Sequence, residues 1–132
     1  MSWRRVHAIR GATTADRDEP GAIVEATREL LEALIRRNSL ANDEIVSAIF
    51  SATADLTSEF PARAAREIGW DDVPLFCATE MQVPRGPARC IRLMLHIECA
   101  EPRSEVTHVY LREAKHLRPD LCGVSAAVAL GP

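Results

Sequence analysis

At 132 residues, 47% hydrophobic and 27% charged, the chain is long enough for one domain with a buried core and too apolar for a disordered segment. Sixteen basic residues stand against nineteen acidic ones, a net charge of −3, which argues against a general nucleic-acid binder. No apolar run approaches the roughly 18 residues of a membrane span, and the charged start MSWRRVHAIRG has no apolar stretch of a secretory signal, so the cytoplasm is the expected compartment.

Residues 5–12 read as a first strand with Val6, Ala8 and Arg10 on one face, and residues 11–14 as its exit. Residues 16–20 are polar and turn-like, and Pro20 suits the first position of a helix. Ile23, Thr27, Leu30, Leu31, Leu34 and Ile35 then form one helical stripe, which Arg36, Arg37 and Asn38 close with the charge a helix C-terminus favours. A loop over 39–44 leads to IVSAIFSA at 45–52, a short, β-branched buried strand. Residues 61–68 predict a short helix between Pro61 and Gly69, with Arg63 and Arg66 on one face.

Residues 73–78 are a third strand, and 84–87 a turn around Gly86. RCIRLMLHIEC at 89–99 reads as a strand near the middle of the sheet. Ile91, Leu93, Leu95, Ile97 and Cys99 lie on one face, Cys90, Arg92, Met94, His96 and Glu98 on the other. Residues 105–111 suggest one or two helical turns and 114–117 a last short strand. The folded domain is expected at 1–121, with a mobile tail over 122–132. The order predicts an α/β fold with a mixed sheet in a single domain, carrying one long and one or two short helices. One long helix cannot cover both faces of such a sheet, so the second face is expected to pack on another subunit.

Arg92 is the anomaly: a guanidinium inside a core-like strand needs an anion or acceptors. Arg10, Arg66 and Arg118, with Arg63, also fall at the ends or faces of ordered elements. Converging, they form a pocket for a small di-anion; dispersed, they are ordinary solvated arginines. Glu80 follows a strand and suits either a pairing with Arg92 or acceptance of a ligand hydroxyl, or is an exposed loop residue. Tyr110, the only tyrosine, is a core residue or a ligand donor. The four cysteines, at 77, 90, 99 and 122, have no metal-ligand spacing and read as reduced thiols. The histidines at 7, 96, 108 and 116 belong to no catalytic motif. Neither a glycine-rich phosphate loop nor a G-x-S-x-G elbow is found. Spacing alone therefore supports an arginine-rich anion pocket, without a metal, a cofactor or an obvious nucleophile.

Seven segments in order then carry a resemblance: IRGATT at 9–14, SATADL at 51–56, FPARAAREIGW at 60–70, VPLFCATEM at 73–81, CIRLML at 90–95, HVYLREA at 108–114 and LRPDL at 117–121. Over 6–121 the chain resembles the monofunctional chorismate mutases of the small trimeric bacterial class. The resemblance implies a homotrimeric pseudo-α/β-barrel with active sites between subunits. It implies a cofactor-free Claisen rearrangement of chorismate to prephenate in aromatic amino-acid biosynthesis. By position, Arg92 matches the cation at the breaking ether oxygen and Glu80 the carboxylate at the ring hydroxyl, with Cys77 nearby. Arg10 and Tyr110 match the residues holding the side-chain carboxylate. Phe60, Ala62, Arg63 and Arg66 match the wall given by the neighbouring subunit. Leu117 and Arg118 match the segment over the ligand, and Phe76, Cys77, Ala78, Thr79 and Glu80 the ligand-lining run. A trimeric binding module for a small carboxylate, acting as a regulator, is the alternative; it would keep the arginines but need no Glu80–Arg92 pairing.

Overall fold

The computed structural model describes residues 4–100, 103 and 105–122. Five strands form one mixed sheet in the order β3-β2-β4-β1-β5. They are β1 (Arg5–Thr14), β2 (Ile45–Ala52), β3 (Leu75–Thr79), β4 (Cys90–Cys99) and β5 (Val109–Tyr110). β4 is central and antiparallel to both β1 and β2; β3 runs parallel to β2, and β5 parallel to β1. The apolar alternation of β4 is the reason for its place: Ile91, Leu93, Leu95 and Ile97 are all buried on one face.

That face is covered by α1 (Pro20–Asn38) and α2 (Ala62–Glu67). Leu30, Leu31 and Leu34 of α1 join Ile9, Phe50, Leu93, Leu95 and Ile97 in the main core, with Ala64, Ala65 and Trp70. Pro20 sits in the first turn of α1, Arg36 and Arg37 in the last, and Ser39 closes the helix in the left-handed region at φ 50°. Buried Asn38 is fully used: its amide donates to Leu34 O and Thr107 O, and its Oδ1 accepts from Thr107 N at 2.7 Å. The end of α1 thus fixes the segment that leads into β5. Gly69 ends the α2 region at φ +95°, as expected of a glycine beyond a helix C-terminus.

Three expectations need correction. β1 does not leave the sheet at Gly11; it pairs with β4 through Thr14, opposite Cys90. Gly11 is a close-approach glycine, since a Cβ there would stand 2.9 Å from Leu34 Cδ1 and 3.3 Å from Leu30 Cδ1. Residues 105–111 hold no helical turn: Val109 and Tyr110 are a strand, because the outer edge of β1 offers backbone partners and Asn38 holds Thr107 extended. Residues 114–117 are not a strand but part of a 3-10 helix, Arg112–His116. After Leu111 N bonds Ala12 O, the chain turns through Arg112 at φ 52°, whose guanidinium holds Thr14 O and Glu29. Smaller shifts are seen at β3, which starts after Pro74, and in the 39–44 loop, which contains a 3-10 turn at Asn42–Glu44. The proposed tail falls, beyond Cys122, outside the described residues.

Among the described residues, the opposite sheet face is covered only at one end. There Ala12, Cys90 and Tyr110 pack under Ala114 and Leu117. Further along, the same face carries Arg10, Met94, Ile49 and Phe76 in one cross-strand row, and these are exposed. Val6 lies on it too and is 65% exposed, while Phe76 is 64% exposed.

Candidate active site

Ladder register brings the site together on this open face. Tyr110, Ala12, Arg92, Ser51 and Ala78 are successive partners across β5, β1, β4, β2 and β3, so their side chains stand on the same side. One step along the strands stands the row of Arg10 and Met94. Between the two rows lies a cleft of about 210 Å³ lined by Arg10, Ile49, Ser51, Glu80, Arg92, Met94 and Tyr110, with Gly11 and Leu93 at its floor.

Arg92 has a protein partner. Its Nη1 donates to Glu80 Oε1 at 3.3 Å, and both side chains are about three-quarters buried or slightly less. Glu80 follows β3 directly and its N–H donates to Ala52 O at 2.8 Å, which fixes its backbone beside β2. Its other oxygen, Oε2, accepts from Ser51 Oγ at 2.6 Å. Both carboxylate oxygens are therefore engaged from the cleft floor, which gives the group a fixed orientation.

Tyr110 is only 6% exposed. Burial pushes its phenol pKa up, while the positive charges of Arg10, Arg118 and Arg92 pull it down; the net direction is upward, so it stays a neutral donor. These three cations thus act on one hydroxyl, and the cleft is electropositive there. Behind Arg10, His108 Nδ1 accepts the Arg10 N–H at 2.9 Å, extending the pairing of β1 beyond two-residue β5. That bond needs an imidazole neutral at Nδ1. Burial first, then Arg10 and Arg118, lower the His108 pKa and favour that form. Burial likewise drives the Cys90 thiol, under the cap, up to about 12.

The other sequence candidates lie elsewhere in this chain. Phe60, Cys77, Ala78 and Thr79 line a second hollow of about 400 Å³ along β3 and the 53–61 loop. Asp18 steadies this loop by accepting from Thr57 N and Ser58 N. Ala62 is 4% exposed and faces the core, and Leu117 is 2% exposed and forms part of the cap over Tyr110. Arg63 is ion-paired with Glu59 at 2.6 Å and Glu67 at 3.5 Å on the outside of α2, where Arg66 is also exposed. Phe76 projects from the open face, and Arg118 binds Asp120 at 2.7 Å beside Tyr110. Arg10, Glu80, Arg92 and Tyr110 are thus brought into one cleft; the remaining candidates are not part of it within one chain. Sequence reasoning missed Ser51, Met94, Ile49 and His108. Ser51 was findable from the alternation of β2, whereas the His108 contact depends on a strand pairing far apart in sequence.

The arrangement can bind a small anion with hydroxyl groups, presenting a fixed guanidinium and carboxylate and a neutral phenol. Residues 6–121 match the family described as chorismate mutase type I. Chorismate mutase AroH of Thermus thermophilus is 49% identical over 88% of this chain and 96% of its own length. Chorismate mutase AroH of Bacillus subtilis (strain 168) is 43% identical over 88% and 92%. Among solved structures, chorismate mutase from Clostridium thermocellum superposes with a TM-score of 0.79 at 42% identity, covering 83% of this chain and 97% of that one. A match over most of the chain, joined to this fold and cleft, leads to one conclusion: the chain belongs to the chorismate mutase type I family.

Proposed function

We propose that this chorismate mutase rearranges chorismate to prephenate in the cleft of Arg10, Glu80, Arg92 and Tyr110. The observation that carries the assignment of the site is the Arg92–Glu80 pair, held on a rigid sheet face beside two further groups suited to a carboxylate. The rearrangement is intramolecular: the ether C–O bond breaks as a C–C bond forms, so no protein nucleophile is required. What the protein supplies is conformer selection and electrostatics. Arg92 faces the ether oxygen, where negative charge grows on the way to the transition state, so its stabilisation is larger there than in the ground state. Glu80 accepts the ring hydroxyl and balances charge near the allyl fragment. Arg10 and Tyr110 hold the side-chain carboxylate. Arg118 and Leu117 belong to the segment beside the ligand.

In the same reading the protein is a homotrimer, and the open face with its exposed Ile49, Phe76 and Met94 meets a second copy. That copy brings Phe60, Arg63 and Arg66, which lie away from the cleft within one chain, to its wall, while Ala62 supports them from the core side. Among the described residues no helix is long and apolar enough to cross a membrane. The test is direct. Purified protein, without added metal or cofactor, is expected to consume chorismate and form prephenate, followed by NMR. Turnover no faster than the uncatalysed background would overturn the reading, and binding without turnover would favour a carboxylate-binding regulator.

A further inference from the structure

We infer that Ser51 is a positioning residue that keeps Glu80 from closing onto Arg92. Ser51 and Arg92 are direct partners in the β2–β4 ladder, so their side chains rise together from the open face. Glu80 reaches over both. Its bond from Ser51 is short, at 2.6 Å, and its contact with Arg92 is a single one at 3.3 Å. A guanidinium and a carboxylate left to themselves approach to about 2.7–2.9 Å, commonly as a two-point fork. The carboxylate is therefore drawn toward β2 and away from the guanidinium. Among the described residues the other Arg92 N–H groups make no hydrogen bond, which leaves them for a ligand oxygen. Without the serine hydroxyl, Oε2 loses its donor and Arg92 is the cation beside it. A closed fork would then occupy the N–H groups and offset the charge that the breaking ether oxygen needs.

The inference rests on the proposed roles of Arg92 and Glu80, and the experiment separates the two. Wild type, Ser51→Ala, Ser51→Thr, Glu80→Ala and the Ser51→Ala/Glu80→Ala double variant are compared for kcat and KM with chorismate. Ser51→Ala is expected to lower kcat about tenfold or more, the scale of one lost hydrogen bond to a charged group, with a smaller change in KM. Ser51→Thr, which keeps the hydroxyl, restores most of kcat. In the Glu80→Ala background the serine substitution costs nothing further, because the group it positions is gone. Ser51→Cys, of similar volume and a weak donor, is expected to follow alanine and serves if Ser51→Ala folds poorly. Near-normal kcat in Ser51→Ala beside a strongly impaired Glu80→Ala overturns the positioning role alone. Equal losses from Ser51→Ala in both backgrounds also overturn it, since they mark a merely structural effect. Normal kcat in Glu80→Ala overturns the site reading itself.

Discussion

Arg92 sits at 30% side-chain exposure with one long contact to Glu80, an arrangement that leaves a cation ready rather than neutralised. A guanidinium fixed in a central strand needs little reorganisation when charge appears on a ligand oxygen. Arg92→Ala is expected to reduce kcat by roughly 10²–10³-fold, the scale of one preorganised donor. Steady-state kinetics on a folded variant of native mass checks this, and near-normal kcat refutes the role. His108 supplies a second residue-scale expectation. Its folded pKa is lowered below the ordinary 6.5, so the unfolded chain takes up that proton first as pH falls. The stability it contributes is therefore present above the unfolded pKa and is lost as pH drops from there toward the folded value. His108→Asn retains an acceptor near the Nδ1 position and cannot titrate. Thermal unfolding between about pH 7 and pH 5 should fall less steeply in this variant than in wild type; parallel curves would contradict the assignment.

Among the elements, the meeting of β1 with α1 shows how one residue sets a distance. Gly11 lies beneath Leu30 and Leu34, both fully buried, so α1 rests directly on the strand that carries Arg10. Gly11→Val is expected to overpack this contact and to destabilise the protein by about 1–3 kcal/mol, measured by urea unfolding. An unchanged midpoint would show that the leucines rearrange without cost. β5 shows the opposite case. It is two residues long, yet Leu111 N and His108 Nδ1 extend its hold on β1 at both ends, and Asn38 ties the preceding Thr107 to α1. Short local signals mislead at such a place: residues 105–111 have no strong period, and distant partners decide their conformation, Asn38 from 69 positions away and Arg10 from 98.

Across the described residues, one sheet face is covered and the other is largely open, mixing Arg10, Arg92 and Glu80 with exposed Val6, Ile49, Phe76 and Met94. A face of that kind suits association of copies around a site rather than solvent. In the trimer proposed, Ile49→Asp is expected to lower the mass measured by light scattering toward that of one chain. A variant that keeps the native mass would argue that the copies meet elsewhere.

Much was legible in the residues themselves. The six-residue stripe of α1 and the ten-residue alternation of β4 state their own burial, because helix and strand periods are local properties. Arg92 stands out as a charge inside a strand otherwise patterned for the core, and the ordered motifs around it carry the resemblance to the family. Tertiary structure decided what depends on distant partners. It ran β1 on to Thr14, made a strand of Val109–Tyr110, and turned Arg112–His116 into a 3-10 helix. It also placed Ser51 against Glu80 and His108 against Arg10, contacts set by ladder register and close packing across 29 and 98 residues of chain, which no local pattern encodes.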